Sequence, residues 1–396
     1  VFEGTGIEGP DEMIERVVVI VLDSVGCGAA PDADRFGDRG AHTLRNTAEA
    51  AGGLDLPHLG KLGLGRVASI RGVAPAAWPK GAWGRMTEVS AGKDTTTGHW
   101  EMAGLVLDKP FALFPDGFPV EIMHRFEQET GRKAIGNRAA SGTEIIQDLG
   151  AKHLKTGALI IYTSADSVFQ IAAHEEKVPI EELYEACRIA RRILDPYRVS
   201  RVIARPFVGE KGSFVRTHRR RDFSMPPEGP TCLDRVAEAG MEVVALGKIE
   251  DIYARHGVTA AEHSIDNMDG VDLLLRTMAR SFRGLVMLNL VDFDTLWGHR
   301  RDAIGYAKGL EAFDRRLPEI LARLAAKDAL FITADHGCDP CHHGTDHTRE
   351  QVPILAYGPS IRPGPLGVRP TFADLGQTIC TLLGAKPVAH GKGFFA

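Results

Sequence analysis

Three stretches share one plan: residues 16–23 (RVVVIVLD), 285–294 (LVMLNLVDFD) and 329–337 (ALFITADHG) are each an aliphatic run that ends in acid. Runs this short and this rich in β-branched residues read as strands buried on both faces. Similar runs occur at 159–162, 201–204, 243–246 and 353–357. Helical periods lie among them, at 181–194 and in the series Leu310, Phe313, Leu317, Ile320 and Leu324. Strands alternating with helices predict an α/β fold, a mostly parallel sheet flanked by helices. Between about 108 and 223 the chain is broken by Pro-Phe and Gly-rich turns (KPFALFPDGFP, RPFVGEKGSF), which predicts an inserted domain. The expected division is a core in two parts, 17–107 and 224–396, around an insertion at 108–223, with 1–16 as an N-terminal extension.

A length of 396 residues leaves room for two or three domains. The net charge of −5, with 44% hydrophobic and 25% charged residues, fits a globular protein and excludes disorder, collagen and general nucleic-acid binding. The longest early apolar run, 17–22, is far below the ~20 residues of a membrane span. Residues 1–16 are acidic and lack the basic start and apolar middle of a secretory signal, so a cytoplasmic chain with no membrane partner is expected. Six cysteines in a chain this long make no disulfide framework.

The chemistry starts from the strand ends. Ligands in open α/β sheets bind beyond the carboxyl ends of the strands, so Asp23, Asp292 or Asp294, and Asp335 should converge on one site. A lone Asp after a strand is most often a cap or turn residue. Three of them with histidines attached argue for more: His299 follows Asp294 by five residues, His336 adjoins Asp335, and His347 follows in GTDHTRE. Three carboxylates and three imidazoles suit Mn or Zn better than Ca. Six ligands exceed one catalytic metal, and two metals about 4 Å apart would use them all in phosphoryl transfer. GKDTTTGHWE offers an alcohol nucleophile, Thr95 after Asp94, with Thr96 and Thr97 as rivals. Dinucleotide, phosphate-loop and GxSxG signatures are missing. Cys338 and Cys341 have zinc-like spacing but no second pair, which favours a structural or incidental role. The basic run 216–221 (RTHRRR) reads by itself as a solvated loop.

The strings VLDSVGCGAAPDA, KDTTTGHWE, GNRAASGTEII, YTSADSVFQIAAHEE, IARPFVGE, GKIEDIY, LVDFDTLWGHRRD, ITADHG and GTDHTREQVPILAYG run through nearly the whole chain after residue 16. Through them the chain resembles the bacterial phosphopentomutases of the alkaline phosphatase superfamily. The resemblance implies an alkaline-phosphatase-like core with an inserted α/β cap domain. It implies one Mn ion on Asp23, Asp335 and His336, a second on Asp294, His299 and His347, and a phosphorylated Thr95. It also implies substrate contacts from Ser164, Asp166, Val168, Arg201, Arg216 and Lys248. Pentose phosphates are the implied substrates and a sugar bisphosphate the implied activator. A phosphatase or a phosphoglycerate-type phosphomutase is the alternative within the same superfamily, and a non-catalytic metal-binding protein the alternative outside it. The chain departs from the family at CDPCHH, where an Asn would normally follow ADHG, and in its first 16 residues.

Overall fold

The computed structural model describes residues 13–164 and 166–395. Most of the expected extension, residues 1–12, lies outside the described residues, while Arg16 already belongs to the first strand. The chain divides into two compact units, one made of the described residues up to Pro110 together with those from Pro227 onward, the other Phe111–Pro226.

The first unit carries an eight-stranded sheet in the order Ala260–Glu262, Glu242–Leu246, Gly284–Leu290, Arg16–Leu22, Asp328–Thr333, Val352–Tyr357, Ala82–Met86 and Gly364–Arg369. Neighbours are parallel throughout except for Val352–Tyr357, which runs against both of its partners. The three acid-ending runs are therefore adjacent central strands, and every residue in them is buried. A strand covered on both faces can bury an unbroken aliphatic run, which is why these three lack polar alternation. The helices form two mutually packed sets on the sheet. One contains Thr43–Ala50, Asn267–Met278 and Ala303–Arg323, the other Thr95–Met102, Cys232–Glu238 and Ala373–Leu383. The predicted period ending at Leu324 lies in Ala303–Arg323, with Leu324 as its extended C-cap.

The second unit has its own sheet, Ala134–Ala139, Leu159–Thr163, Val168–His174, Arg201–Val208 and Val215–Arg216, with Arg221–Ser224 also paired to Arg201–Val208. Helices Val120–Thr130 and Ile180–Leu194 bury Phe126, Leu183 and Ile193 against Phe169 and Ile171. On the opposite face, helix Gly142–Thr156 buries Ile145 and Ile146 against Ile160, Tyr162 and Phe207. No helix among the described residues is long and apolar enough to cross a membrane.

Candidate active site

Asp23 follows Arg16–Leu22 directly, and Asp335 lies two residues beyond Asp328–Thr333. Asp294 sits in a wide π-helical turn, Phe293–Gly298, just after Gly284–Leu290. In this turn the His299 N–H donates to the Asp294 carbonyl at 3.0 Å. The five-residue spacing thus places the two side chains together, with His299 Nε2 at 3.2 Å from Asp294 Oδ2. Single π-turns of this kind are most often found at functional sites. His347 returns through the bridge between Gly337 and Thr348, and its Nε2 stands 3.4 Å from Asp294 Oδ1. His336 Nε2 lies 3.1 Å from Asp335 Oδ2 and 3.5 Å from Asp23 Oδ1.

The potential ligands gather in three overlapping groups: Asp23, Asp335 and His336; Asp294, His336 and His347; Asp294, His299 and Cys338. Three buried oxygens, Asp23 Oδ1, Asp294 Oδ1 and Asp335 Oδ2, accept no well-formed hydrogen bond among the described residues and face only imidazole nitrogens at 3.1 to 3.5 Å. Buried carboxylates left so are costly unless a cation meets them. The remaining oxygens are fixed. Ser24 N–H donates to Asp335 Oδ1 at 3.0 Å and Asn289 Nδ2 to Asp23 Oδ2 at 2.8 Å. Ser24 does this from a left-handed backbone, φ 71°, a strained conformation of the kind that clusters at functional sites.

Electrostatics agree with the geometry. Burial, reinforced by the charges of Asp335 and Asp294, pushes the Asp23 carboxyl up to about 7. Burial would raise Asp335 and Asp294 too. It is outweighed at Asp335 by His336 and His99, and at Asp294 by His299 and His347, so both fall below the carboxylate range. Burial disfavours the charged imidazoles, yet the carboxylates raise His336 well above its usual value and His299 to about 12. The cluster concentrates negative charge that divalent cations would neutralise. The donor set and the orphaned oxygens fit two such ions.

Thr95 opens helix Thr95–Met102, and its Oγ1 lies 3.1 Å from His336 Nε2. Asp94 caps the helix by accepting from the Thr96 and Thr97 N–H groups, and the Thr97 hydroxyl donates to it at 2.6 Å. Thr96 and Thr97 are buried while Thr95 is half-exposed. The helix can approach because residue 98 is glycine: a Cβ there would collide with the Asp335 carbonyl oxygen.

The expected substrate-contact residues are distributed over both units. Ser164, Asp166, Val168 and Arg201 share one end of the second unit's sheet, where Val168 is in register with Arg201 and the Arg201 Nη2 is 3.5 Å from Asp166 Oδ2. Arg216 pairs in register with Phe207, farther along the strand. Lys248, in the first unit, precedes the short helix Ile249–Ile252.

Motif reading passed over two residues at the cluster, His99 and Asn289, and gave a third, Cys338, only a structural or incidental role. His99 is fully buried with Nδ1 at 2.8 Å from the Thr95 carbonyl and 3.1 Å from Asp335 Oδ2, and its spacing of four from Thr95 was the available signal. Asn289 is the one amide in a wholly apolar strand, a buried polar residue that needs a reason. Cys338 Sγ comes within 3.9 Å of His299 Nδ1, whereas Cys341 is exposed and its Sγ meets the Asn46 carbonyl. No candidate metal group among the described residues contains both cysteines.

Carboxylates on adjacent parallel strand ends, sharing imidazoles and facing an alcohol at a helix N-terminus, define a metal-dependent phosphotransfer enzyme. Residues 15–387 match the Metalloenzyme superfamily. The chain is 57% identical over 382 residues to a phosphopentomutase of Kosmotoga olearia, covering 96% of this chain and 98% of that one. It is 56% identical over 383 residues to a phosphopentomutase of Thermotoga maritima, with the same coverage of 96% and 98%. It shares its fold with a phosphoglycerate mutase of Leishmania mexicana, at TM-score 0.51 and 13% identity over 98% of this chain and 99% of that one. The chain belongs to the metalloenzyme superfamily and, within it, to the phosphopentomutases, and it is a metal-dependent phosphomutase.

Proposed function

We propose that the chain interconverts the 1- and 5-phosphates of ribose or 2-deoxyribose, with Thr95 carrying the phosphoryl group between positions. The placement of Thr95 supports this most directly: a half-exposed hydroxyl at a helix N-terminus, 3.1 Å from His336 Nε2. Asp23, Asp335 and His336 would hold one divalent cation and Asp294, His299 and His347 the other, Mn suiting the mixed donors best. Such ions lower the pKa of a nearby alcohol and offset charge on phosphoryl oxygens.

The chain's own residues do the positioning. The N-terminus of helix Thr95–Met102 favours a phosphothreonine of about −2 charge. Asp94 holds the Thr96 and Thr97 amides, so the register of the helix start is fixed. A free hydroxyl of the pentose monophosphate takes the phosphoryl group from Thr95, forming a bisphosphate and freeing the threonine oxygen. The bisphosphate then returns its other phosphoryl group to Thr95, and the isomer leaves. A sugar bisphosphate would load Thr95 before the first turnover. Ser164, Asp166, Val168, Arg201, Arg216 and Lys248 would contact the substrate, with the arginine forks suited to phosphate. A reducing, cytoplasmic setting suits six cysteines that are all free.

Phosphorus NMR of the enzyme with Mn, a catalytic amount of sugar bisphosphate and ribose 5-phosphate tests this. Ribose 1-phosphate should appear. Accumulation of free phosphate instead would identify a phosphatase.

A further inference from the structure

Cys338 directly follows the ADHG string, at the position where the chain departs from its family, and it is only 1% exposed. Its backbone is held in place: the Cys338 N–H donates to the Ser24 carbonyl at 3.1 Å, just beyond the bridge between Gly337 and Thr348. The side chain lies against the π-helical turn that carries Asp294. Gly298 in that turn makes room for it, since a Cβ there would sit 2.9 Å from the Cys338 sulfur. Asp294, His299 and Cys338 thereby bring a carboxylate oxygen, a ring nitrogen and a sulfur within 4.8 Å of one another. Metal bonds of about 2.0 to 2.3 Å place ligand atoms at most roughly 4.4 Å apart, so small side-chain rotations would close these three on one ion.

The partners of each group leave it able to turn inward. His299 Nδ1 faces the Thr345 carbonyl at 2.6 Å, which places the ring proton on Nδ1 and leaves Nε2 to ligate. Asp294 is 5% exposed, and its Oδ1 accepts no well-formed hydrogen bond among the described residues. The thiol's own polar contacts are long, 3.7 Å to the Asp346 carbonyl and 3.9 Å to His299 Nδ1. Charge gives an independent argument. Asp23 and Asp335 bring two negative charges to the first proposed ion, whereas Asp294, with neutral His299 and His347, brings one to the second. A thiolate at residue 338 makes the two sites equal, each cancelling the charge of a buried divalent cation.

We propose that Cys338 is a sulfur ligand of the ion held by Asp294, His299 and His347, and that it gives this site a higher affinity for Zn and Co than its oxygen and nitrogen donors alone would. The proposal rests on the two-ion reading above and replaces the structural or incidental role expected of Cys338 from its spacing. Binding exchanges the S–H bond for a sulfur–metal bond, and the proton passes to solvent. Thiolate is a soft donor, which Zn and Co take more readily than Mn does. Cys341, whose sulfur meets the Asn46 carbonyl, takes no part.

The test is optical. The full-length chain, freed of metal by chelator and kept from oxygen, is titrated with cobalt. A thiolate-to-cobalt charge-transfer band should appear in the near ultraviolet as the second ion binds, persist in Cys341→Ser and vanish in Cys338→Ser. Competition titrations should show Cys338→Ser lowering the Zn affinity of that site by more than about 10-fold, the least that losing even an outer partner costs, and the Mn affinity much less. Cobalt that binds the parent without the band, a band that survives Cys338→Ser, or equal losses of Zn and Mn affinity overturns the sulfur ligand and leaves the two-ion centre standing. A parent that binds no cobalt overturns both. A parent that shows the band but forms no ribose 1-phosphate from ribose 5-phosphate once Mn is restored upholds the ligand and removes the proposed reaction instead.

Discussion

Among the three consecutive threonines, only residue 95 combines exposure with reach to the carboxylate cluster. Thr95→Ser should retain measurable isomerisation through its hydroxyl, and Thr95→Ala should have none. Peptide mapping after exposure to a sugar bisphosphate should place one phosphate on Thr95, and a phosphate on Thr96 or Thr97 would contradict the assignment. The basic run divides the same way. Arg216→Ala should lower kcat/KM by roughly 10- to 150-fold, the cost of a charge-assisted hydrogen bond. Alanine at Arg219, Arg220 or Arg221 should change it by less than about 3-fold, since exposed pairs of this kind contribute little. The carboxylates that gather in the cluster were legible in the sequence because each closes an aliphatic run. His99 and Asn289 were not, because their partners, Asp335 and Asp23, are brought to them only by the strand order.

Helix Thr95–Met102 carries the proposed nucleophile, and Gly98 lies against the Asp335 carbonyl. Gly98→Ala should push the helix away and lower kcat by about 100-fold while circular dichroism stays native, because small misplacements of a reacting group are expensive. Helix Thr43–Ala50 offers a pH test. Its cap, His42, accepts from the Arg45 N–H through Nδ1 at 3.2 Å. Burial, then the charges of Arg45 and Arg85, push His42 down to about 4 from 6.5. The unfolded chain binds this proton first, so the stabilisation is complete above pH 6.5 and is lost as pH falls toward 4. His42→Asn keeps a capping acceptor and removes the titration, so its Tm should fall less than the parent's between pH 7 and 5. At this scale most central strands were readable, but Val168–His174 (VFQIAAH), central and fully buried, was not, because Gln170 and His174 interrupt its apolar run; peripheral strands were missed for another reason. Ala82–Met86 (AWGRM) buries only alternate residues, and Ala134–Ala139 (AIGNRA) is an exposed edge. Neither contains the aliphatic run that burial on both faces permits.

At the scale of the whole molecule, the proposed metals would tie three strands together, because Asp23, Asp294 and Asp335 arrive on different ones. Active protein should contain two divalent ions per chain, and a fully active preparation with one would refute the two-ion site. Chelation should abolish turnover and lower Tm by at least about 5 °C, since ions that bind only the folded state stabilise it, and Mn should restore both. The placement of strand Arg16–Leu22 has a further consequence, for biosynthesis. Its parallel neighbours are Gly284–Leu290 and Asp328–Thr333, with Arg16 in register with Gly284 and Asp328. At elongation rates of about 5–20 residues per second, the first strand waits on the order of tens of seconds for its partners to leave the ribosome. Phe111–Pro226, whose strands all lie within one continuous stretch, is complete well before then. A nascent chain therefore carries a finished insertion and a sticky, unpaired aliphatic strand at the same time. Exposure of that unpaired strand edge makes this interval the most aggregation-prone part of synthesis.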